Sequence, residues 1–173
     1  MSKTHKSFKG LHIPVLSLVG VGPGDPSLMT LAAINAIKES TVVAYPTASQ
    51  KNQSMALEIA SKWISKDKKC LPIFFPMIHD EKTLRDAWRE GGERISKNVI
   101  EGEKVVFLCE GDVSLYATSS YLFLYLNNHY PEIPIRMVPG ISSISAAAVS
   151  AQLPLALQQD RLLILPAPND VAE

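Results

Sequence analysis

The stretch VVFLCEGDVSLY, from Val105 to Tyr116, decides how this chain folds. A short apolar run typical of a buried strand leads into the polar turn Glu110-Gly111-Asp112, and a helical pattern then continues through Tyr121 and Tyr125. A strand, turn and helix in this order place backbone N–H groups at the carboxyl edge of a parallel sheet, where small ligands bind. The turn is therefore a candidate ligand site, although Asp112 would also suit a helix N-cap.

The same alternation of strand and helix extends along the rest of the chain. An apolar strand from Ile13 to Gly20 runs into a glycine turn, where Asp25 suits an N-cap and Pro26 the first position of a helix through Ile37. Further strands are predicted at 41–45, 71–75, 133–138 and 161–166, and further helices at 55–64, at 80–100 and after the PGISS turn at 139–143. The glycine pair within 80–100 predicts a helix break or the close approach of another backbone.

These elements predict a doubly wound α/β domain over residues 13–153. Residues 1–12 are predicted to be a disordered tail, because basic residues are interspersed there with small ones. A lone strand after residue 153 has no partner unless it joins the first sheet or begins another domain. We therefore expect residues 154–173 to be the start of a second, truncated α/β domain.

The charge balance argues against several classes of function. Seventeen basic residues match 17 acidic ones, which disfavours a large basic face for nucleic acid or anionic lipid. The N-terminal residues have no apolar core of a signal peptide, and the small-residue run at 141–151 is too polar and short to span a bilayer. We expect a cytoplasmic protein that binds neither nucleic acid nor membrane.

Neither the cysteines nor the histidines indicate a metal site. Cys70 and Cys109 lie in or beside predicted strands, which predicts buried free thiols in a reducing compartment. The four histidines are scattered without the spacing of metal ligands.

The first glycine turn matches neither of two common nucleotide loops. Gly20, Gly22 and Gly24 lack the third glycine position of the dinucleotide fingerprint, and the second strand ends in Tyr45-Pro46 without the acid that holds a ribose. A phosphate-binding P-loop would need Gly-Lys-Ser/Thr where Asp25-Pro26 stands. A proline and an aspartate suit a ligand that is not a polyphosphate, and a cationic ligand is compatible with them.

Three motifs taken together carry a family resemblance. The ordered set VGVGPGD at 19–25, VVFLCEGDVSLY at 105–116 and VPGISSISAAA at 138–148 resembles the tetrapyrrole methylases, which are S-adenosylmethionine-dependent enzymes of cobalamin and sirohaem synthesis. Tyr45-Pro46 and the GDVSLY and PGISSISAAA forms look most like the members that methylate C20 of precorrin-2 or cobalt-precorrin-2. The resemblance covers the chain from about residue 14 onward.

The resemblance implies a fold and a set of cofactor contacts. Family members have two α/β domains with the cofactor in the cleft between them, and this chain is expected to stop just inside the second. Mapped by motif, the S-adenosylmethionine contacts are Pro23, Glu110, Gly111, Asp112, Leu115, Ser142 and Ser143. Turn formation by Pro23 and helix capping by the serines stay open as alternatives.

The implied reaction transfers the sulfonium methyl group in line to a nucleophilic meso carbon of the reduced macrocycle, which then loses a proton. Tyr116, Glu110 or a substrate carboxylate are alternative proton acceptors. Arg85, Arg89 and Arg94 on the long helix are candidate anchors for the substrate's carboxylates. Family analogy suggests a homodimer. A related methylase acting on another ring carbon or substrate, such as uroporphyrinogen III, and a non-catalytic half-enzyme remain open alternatives.

Overall fold

The computed structural model describes residues 15–48, 54–78 and 80–166. The predicted tail at 1–12 and the end of the chain at 167–173 lie outside this part. Three of the four histidines, His5, His12 and His79, also lie outside it.

The core of the molecule is a sheet of five strands within the described ranges. They are β1 (Leu16–Gly20), β2 (Val42–Thr47), β3 (Lys69–Phe74), β4 (Val105–Cys109) and β5 (Ile135–Val138). All pair in parallel, in the order β3-β2-β4-β1-β5. Every residue of β4 is buried, as expected for a strand covered on both faces. The prediction of a parallel α/β sheet is confirmed.

Helices cover both faces of this sheet. They are α1 (Leu31–Glu39), α2 (Met55–Ala60), α3 (Glu81–Ile100), α4 (Thr118–His129) and α5 (Ser143–Ser150). Buried residues of α1 and α2 pack on the face that carries Val43 and Leu108. Those of α3 and α4 pack on the opposite face, around Phe107. The sheet is therefore doubly wound, as predicted, while α5 has no buried residue.

The winding creates a crevice at the carboxyl edge of the sheet. The ends of β1 and β4 are neighbours, with Gly20 paired to Cys109. The connection after β1 leads to α1 on one face, and the connection after β4 leads to α4 on the other. Ligands of open α/β sheets bind where neighbouring connections diverge in this way.

The helix predicted after the first glycine turn is divided in two. Asp25 caps a 3₁₀ turn at Pro26–Leu28, which confirms the roles given to Asp25 and Pro26. α1 then begins separately, because the Thr30 side chain accepts a hydrogen bond from Ala33 N and acts as a second N-cap. Leu28 consequently lies outside α1.

Three further predictions need correction. Residues 161–166 form no strand, since no neighbouring strand among the described residues offers backbone partners to them. Cys70 is exposed, because it lies on the same face of the edge strand β3 as the exposed residues Pro72 and Phe74. Cys109 is buried as predicted. α3 continues without a break through Gly91 and Gly92, and the close neighbours there are the side chains of Ile73 and Tyr125.

Candidate functional site

Three loops meet at the carboxyl edge of the sheet. We call the loops after β1, β4 and β5, at 20–26, 110–117 and 139–142, the first, second and third crests. Gly22 and Gly111 form an antiparallel pair, with N···O distances of 3.2 and 2.8 Å. Their φ values of 84° and 63° lie in the left-handed region that favours glycine. The first and second crests are therefore joined backbone to backbone.

The third crest packs against the other two with no room for a side chain. A Cβ atom on Gly20 would lie 2.6 Å from the carbonyl oxygen of Gly111 and 2.7 Å from the nitrogen of Gly140. A Cβ atom on Gly140 would collide with the same Gly111 oxygen. The positions of the crests relative to one another thus depend on glycine at these places.

Asp112 adds a side-chain link between the second and third crests. Its Oδ2 accepts a hydrogen bond from Gly140 N at 2.9 Å, and its Oδ1 accepts from the backbone N of Ser114 at 2.9 Å and from the Ser114 hydroxyl. Partial burial alone would raise the pKa of Asp112, but these hydrogen bonds outweigh it, and the pKa lies below its ordinary value.

The structure corrects the expectation that Asp112 caps the following helix. α4 begins at Thr118 behind Ala117, which makes no side-chain capping bond. Between Asp112 and this helix lies a turn, whose Val113 carbonyl accepts hydrogen bonds from the Ser119 and Ser120 hydroxyls at 3.2 and 3.1 Å. Asp112 therefore orders the turn and joins two crests.

A cavity of about 460 Å³ opens between the crests, and we call it the crest cavity. All seven residues mapped from the motifs line it: Pro23, Glu110, Gly111, Asp112, Leu115, Ser142 and Ser143. They come from the three crests and from the first residue of α5, which lie far apart in sequence. The remaining lining residues are Tyr116, Ile144 and the segment Ile164, Leu165 and Pro166.

A larger open groove of about 1250 Å³ continues from this cavity along α5, and we call it the helix groove. It shares Pro23, Asp112 and Leu115 with the crest cavity and adds Leu28. Ser142 lies at the junction, where its hydroxyl accepts from Ser145 N at 3.3 Å and caps α5. The capping alternative for Ser142 is therefore correct, and the residue lines the cavity as well.

A third space, of about 350 Å³, lies on the other side of the second crest, and we call it the side cavity. Its lining is mixed: the apolar residues Pro46, Met55, Phe75, Met77 and Ala117 lie beside the polar residues Thr47, Ser54 and Thr118. Glu110 and Tyr116 line both this cavity and the crest cavity. Burial raises the pKa of the Cys109 thiol in its lining to about 11, so that the thiol is neutral near pH 7.

The formally charged side chains around these three spaces are acidic. Asp25, Glu110 and Asp112 take part in their linings, and no Lys, Arg or His does so among the described residues. The hydrogen bond from Ser27 lowers the pKa of Asp25. Such a site suits a cation and disfavours a polyphosphate.

The arginines predicted as substrate anchors lie elsewhere. Arg85 and Arg89 line a separate groove with Trp88 and Tyr121, whose rings stack at 4.4 Å. Both arginines are paired with acids of their own helix, at 3.1 Å to Glu81 and Asp86 respectively. Neither these two nor Arg94 lines the three spaces at the crests.

Two features are absent from residues 15–48, 54–78 and 80–166. No group of three or more His, Cys, Asp and Glu side chains in this part could hold a metal ion. No helix within the described ranges is both long and apolar enough to cross a bilayer.

Comparison with known proteins gives the family. The family model for tetrapyrrole (corrin/porphyrin) methylases matches residues 15–173. The chain is a member of the tetrapyrrole methylase family. The three crests of this family member are the three motifs that carried the resemblance in sequence.

Individual relatives agree with this assignment. The "Probable cobalt-precorrin-2 C(20)-methyltransferase" of Methanocaldococcus jannaschii is 35% identical over 88% of this chain and 64% of its own length. A precorrin-2 C(20)-methyltransferase from Sinorhizobium sp is 28% identical over 96% of this chain and 69% of its own length. The uroporphyrinogen-III C-methyltransferase of M. jannaschii is 30% identical over 80% of this chain and 52% of its own length.

Solved structures share the fold. A uroporphyrin-III C-methyl transferase from Thermus thermophilus, complexed with S-adenyl homocysteine, superposes with a TM-score of 0.58 at 24% identity. The match covers 84% of this chain and 51% of that one. This family member thus spans between about half and two thirds of the length of the relatives compared above.

Sequence reasoning missed the side cavity. Pro46, Thr47, Phe75 and Met77 lie at or just beyond the carboxyl ends of β2 and β3. The rule that ligands bind at the carboxyl edge applies to these strands too and could have found them. They were not predicted because, unlike the crests, they belong to no glycine or acidic motif.

Proposed function

We propose that the protein is an S-adenosylmethionine-dependent C-methyltransferase that methylates C20 of precorrin-2 or cobalt-precorrin-2 in cobalamin biosynthesis. One observation carries this proposal: seven residues from three separated motifs line a single cavity whose formally charged side chains are acidic. The C20 assignment is supported by identity to the M. jannaschii C(20)-methyltransferase, 35% against 30% for the uroporphyrinogen-III enzyme of the same organism.

The crest cavity and helix groove fit S-adenosylmethionine. This cofactor carries a sulfonium and an amine, and supplies an activated methyl group. Glu110 and Asp112 provide negative charge for these cationic centres, and Leu115 provides an apolar surface beside the sulfonium. Ser142 and Ser143 offer hydroxyls at the start of α5, and Pro23 forms the opposite wall. The helix groove extends the site by a volume suited to a nucleoside.

The acceptor side of the site is the side cavity. Its lining of Met55, Phe75 and Met77 suits the apolar face of a conjugated macrocycle. A volume of about 350 Å³ takes one edge of such a ring system rather than all of it. Because Glu110 and Tyr116 border both cavities, an acceptor carbon can reach the methyl group between them.

The residues present would act mainly by alignment and by excluding water. The new C–C bond forms as the C–S bond breaks, S-adenosylhomocysteine leaves, and the methylated carbon gives up a proton. Glu110 and Tyr116 line both cavities and are the side chains that this geometry offers for that proton, beside a substrate carboxylate. The Cys109 thiol, with its pKa of about 11, has no role as a base near pH 7.

Two features of organisation belong to the same proposal. Residues 13–153 form one methylase domain and residues 154–173 open a second one, in keeping with relatives that are longer than this chain. The enzyme acts as a homodimer, as family analogy suggests.

A calorimetric titration with S-adenosylhomocysteine tests the cofactor assignment. The 173-residue chain is expected to bind it with a Kd in the micromolar range, about −8 kcal/mol. Leu115→Arg should weaken binding at least about tenfold, because a bulky charged guanidinium then replaces the apolar side chain beside the ligand's thioether sulfur.

Leu124→Arg is the matched control, since Leu124 is exposed on α4 and lines the separate Arg85 groove. This variant should bind as the parent chain does. A folded parent chain that releases no heat on titration contradicts the proposal.

A related specificity is the second candidate, favoured by the 30% identity to the uroporphyrinogen-III methyltransferase. Incubation with a ¹³C-methyl donor and either precorrin-2 or uroporphyrinogen III separates the two. NMR of the product identifies which ring carbon carries the label. Label at C20 of precorrin-2 supports the first assignment, and label on uroporphyrinogen III alone supports the second.

A further inference from the structure

Tyr116 has an unusual backbone for an aromatic residue. Its φ of 49° places it in the left-handed region, which among the described residues only one other non-glycine residue, Gln152, occupies. This conformation brings Cβ close to the following carbonyl and costs about 1–2 kcal/mol outside glycine. Residues held in this way concentrate at functional sites.

Burial of the ring does not account for this conformation. The Tyr116 side chain is 64% exposed, so that little apolar area is removed from water to offset the strain. Its hydroxyl makes one hydrogen bond, donated to the carbonyl of Ile164 at 3.2 Å.

The residues on both sides of Tyr116 hold the turn. Val113 and Ala117 are buried, and the Val113 carbonyl accepts hydrogen bonds from two serine hydroxyls of α4. The chain must therefore pass from Val113 to α4 within a few residues that are fixed at both ends. The strained residue of this short connection is a tyrosine and not one of the nine glycines of the chain.

The position of the ring supplies a reason. Tyr116 lines the crest cavity together with Leu115 and also lines the side cavity together with Phe75 and Met77. Glu110 is the other residue that borders both. Glu110 and Tyr116 therefore form the boundary that the two spaces share.

We propose that the Tyr116 ring is a wall shared by the donor and acceptor cavities, and that it determines specificity by holding the methyl donor in line with one carbon of the macrocycle. This rests on the proposed function, which places the methyl donor in the crest cavity and an edge of the tetrapyrrole in the side cavity. Reacting atoms must approach to about 3–3.5 Å along one line. A planar wall on a rigid turn restricts which carbon of the macrocycle meets that requirement.

Three substitutions in the 173-residue chain separate the ring from the backbone: Tyr116→Phe keeps the ring, Tyr116→Ala removes it and keeps the strain, and Tyr116→Gly removes both. Glycine ordinarily stabilises loops less than alanine does. At this φ value the order should reverse, with a higher urea midpoint for Tyr116→Gly than for Tyr116→Ala. A higher urea midpoint for Tyr116→Ala than for Tyr116→Gly would contradict a left-handed Tyr116 and overturn the inference.

Titration with S-adenosylhomocysteine then tests what the ring does. Tyr116→Phe should bind within about threefold of the parent chain, and Tyr116→Gly at least about tenfold more weakly although it is the better folded of the truncated variants. Unchanged affinity in Tyr116→Gly would show that the tyrosine is only a turn residue and would overturn this inference alone. No binding by the parent chain would overturn the proposed function, and this assignment with it.

Discussion

At the scale of single residues, the carboxylate of Asp112 connects two parts of the candidate site. We expect Asp112→Asn to lower the free energy of unfolding by about 1–2 kcal/mol, the usual cost of losing a hydrogen bond to a charged group. With its oxygen toward Ser114, the asparagine would turn its NH₂ group toward the Gly140 N–H, so that two donors face each other. Urea unfolding at neutral pH measures the difference.

Ser114→Ala is the control for this substitution. It removes only the hydroxyl contact to Oδ1 and leaves both backbone N–H groups on the carboxylate. Because Ser114 is exposed, the expected cost is below about 0.5 kcal/mol. Equal losses in the two variants would contradict the importance of the link to Gly140.

The parent chain and Asp112→Asn should differ less in stability at acidic pH than at neutral pH. The pKa of Asp112 in the folded protein lies below its unfolded value, so its ionised form stabilises the fold at neutral pH. That contribution is lost as the pH falls through the folded pKa, because the folded carboxylate then gains its proton. The stability gap between the parent chain and Asp112→Asn should therefore narrow steadily below about pH 4. A gap independent of pH would mean that the charge has no part in it.

At the scale of secondary-structure elements, α3 and α4 meet at a glycine. A Cβ atom on Gly92 would collide with the ring of Tyr125, which is itself stacked on His129 at 4.4 Å. Gly92→Ala gains about 1 kcal/mol of helix propensity. We nevertheless expect a net loss of about 1–2 kcal/mol in the free energy of unfolding, since overpacking at a helix contact outweighs that gain.

A double-mutant cycle isolates the collision. In a Tyr125→Ala background, Gly92→Ala should be neutral or stabilising, because the obstructing ring is gone and only the propensity term remains. Urea unfolding of the four proteins gives the coupling energy. The same loss in both backgrounds would place the cause elsewhere than at Tyr125.

The elements also show how far the sequence determines the structure. Apolar runs and their alternation with helical periods are local signals, and they predicted the parallel sheet and its helices. They failed where strand formation depends on hydrogen bonding to a neighbouring strand. The apolar run at 161–166 has the composition of a strand, but no described strand is paired with it. They also failed at Thr30, because a side-chain cap competes with a continuous apolar period and divides one predicted helix into two.

In the candidate site, too, local features could be predicted and features that depend on distant contacts could not. Motifs supplied the seven residues that line the crest cavity, since each lies beside a glycine turn. The bond from Asp112 to Gly140 crosses between two motifs and has no signature in either one. The left-handed conformation of Tyr116 could not be predicted either, because residues in that conformation are usually glycine or asparagine.

At the scale of the whole molecule, residues 143–166 present exposed apolar side chains. α5 has no buried residue, and Leu157 and Leu163 are 67% and 77% exposed. Contiguous surface of this kind marks contact with another chain or domain. We expect the chain to bind the dye ANS and to associate reversibly at micromolar concentration.

The double variant Leu157→Lys, Leu163→Lys should bind less dye and sediment as a smaller species. The control is Gln158→Lys, Gln159→Lys, which adds the same charge at neighbouring exposed positions and keeps the leucines. Sedimentation velocity and ANS fluorescence measure both effects. If the control behaves like the leucine variant, charge repulsion explains the change and the apolar surface does not.

The meeting of the three crests also sets an order of events during synthesis. The Thr30 hydroxyl donates to the carbonyl of Pro139 at 3.3 Å, a bond that spans 109 residues. Asp112 likewise depends on the Gly140 N–H, which follows β5. Contacts so distant in sequence form late, because closing a long loop must precede them. On the ribosome, a chain released as far as β4 can begin its core, but it has no crest cavity until β5 and the third crest have emerged and β5 has been added beside β1.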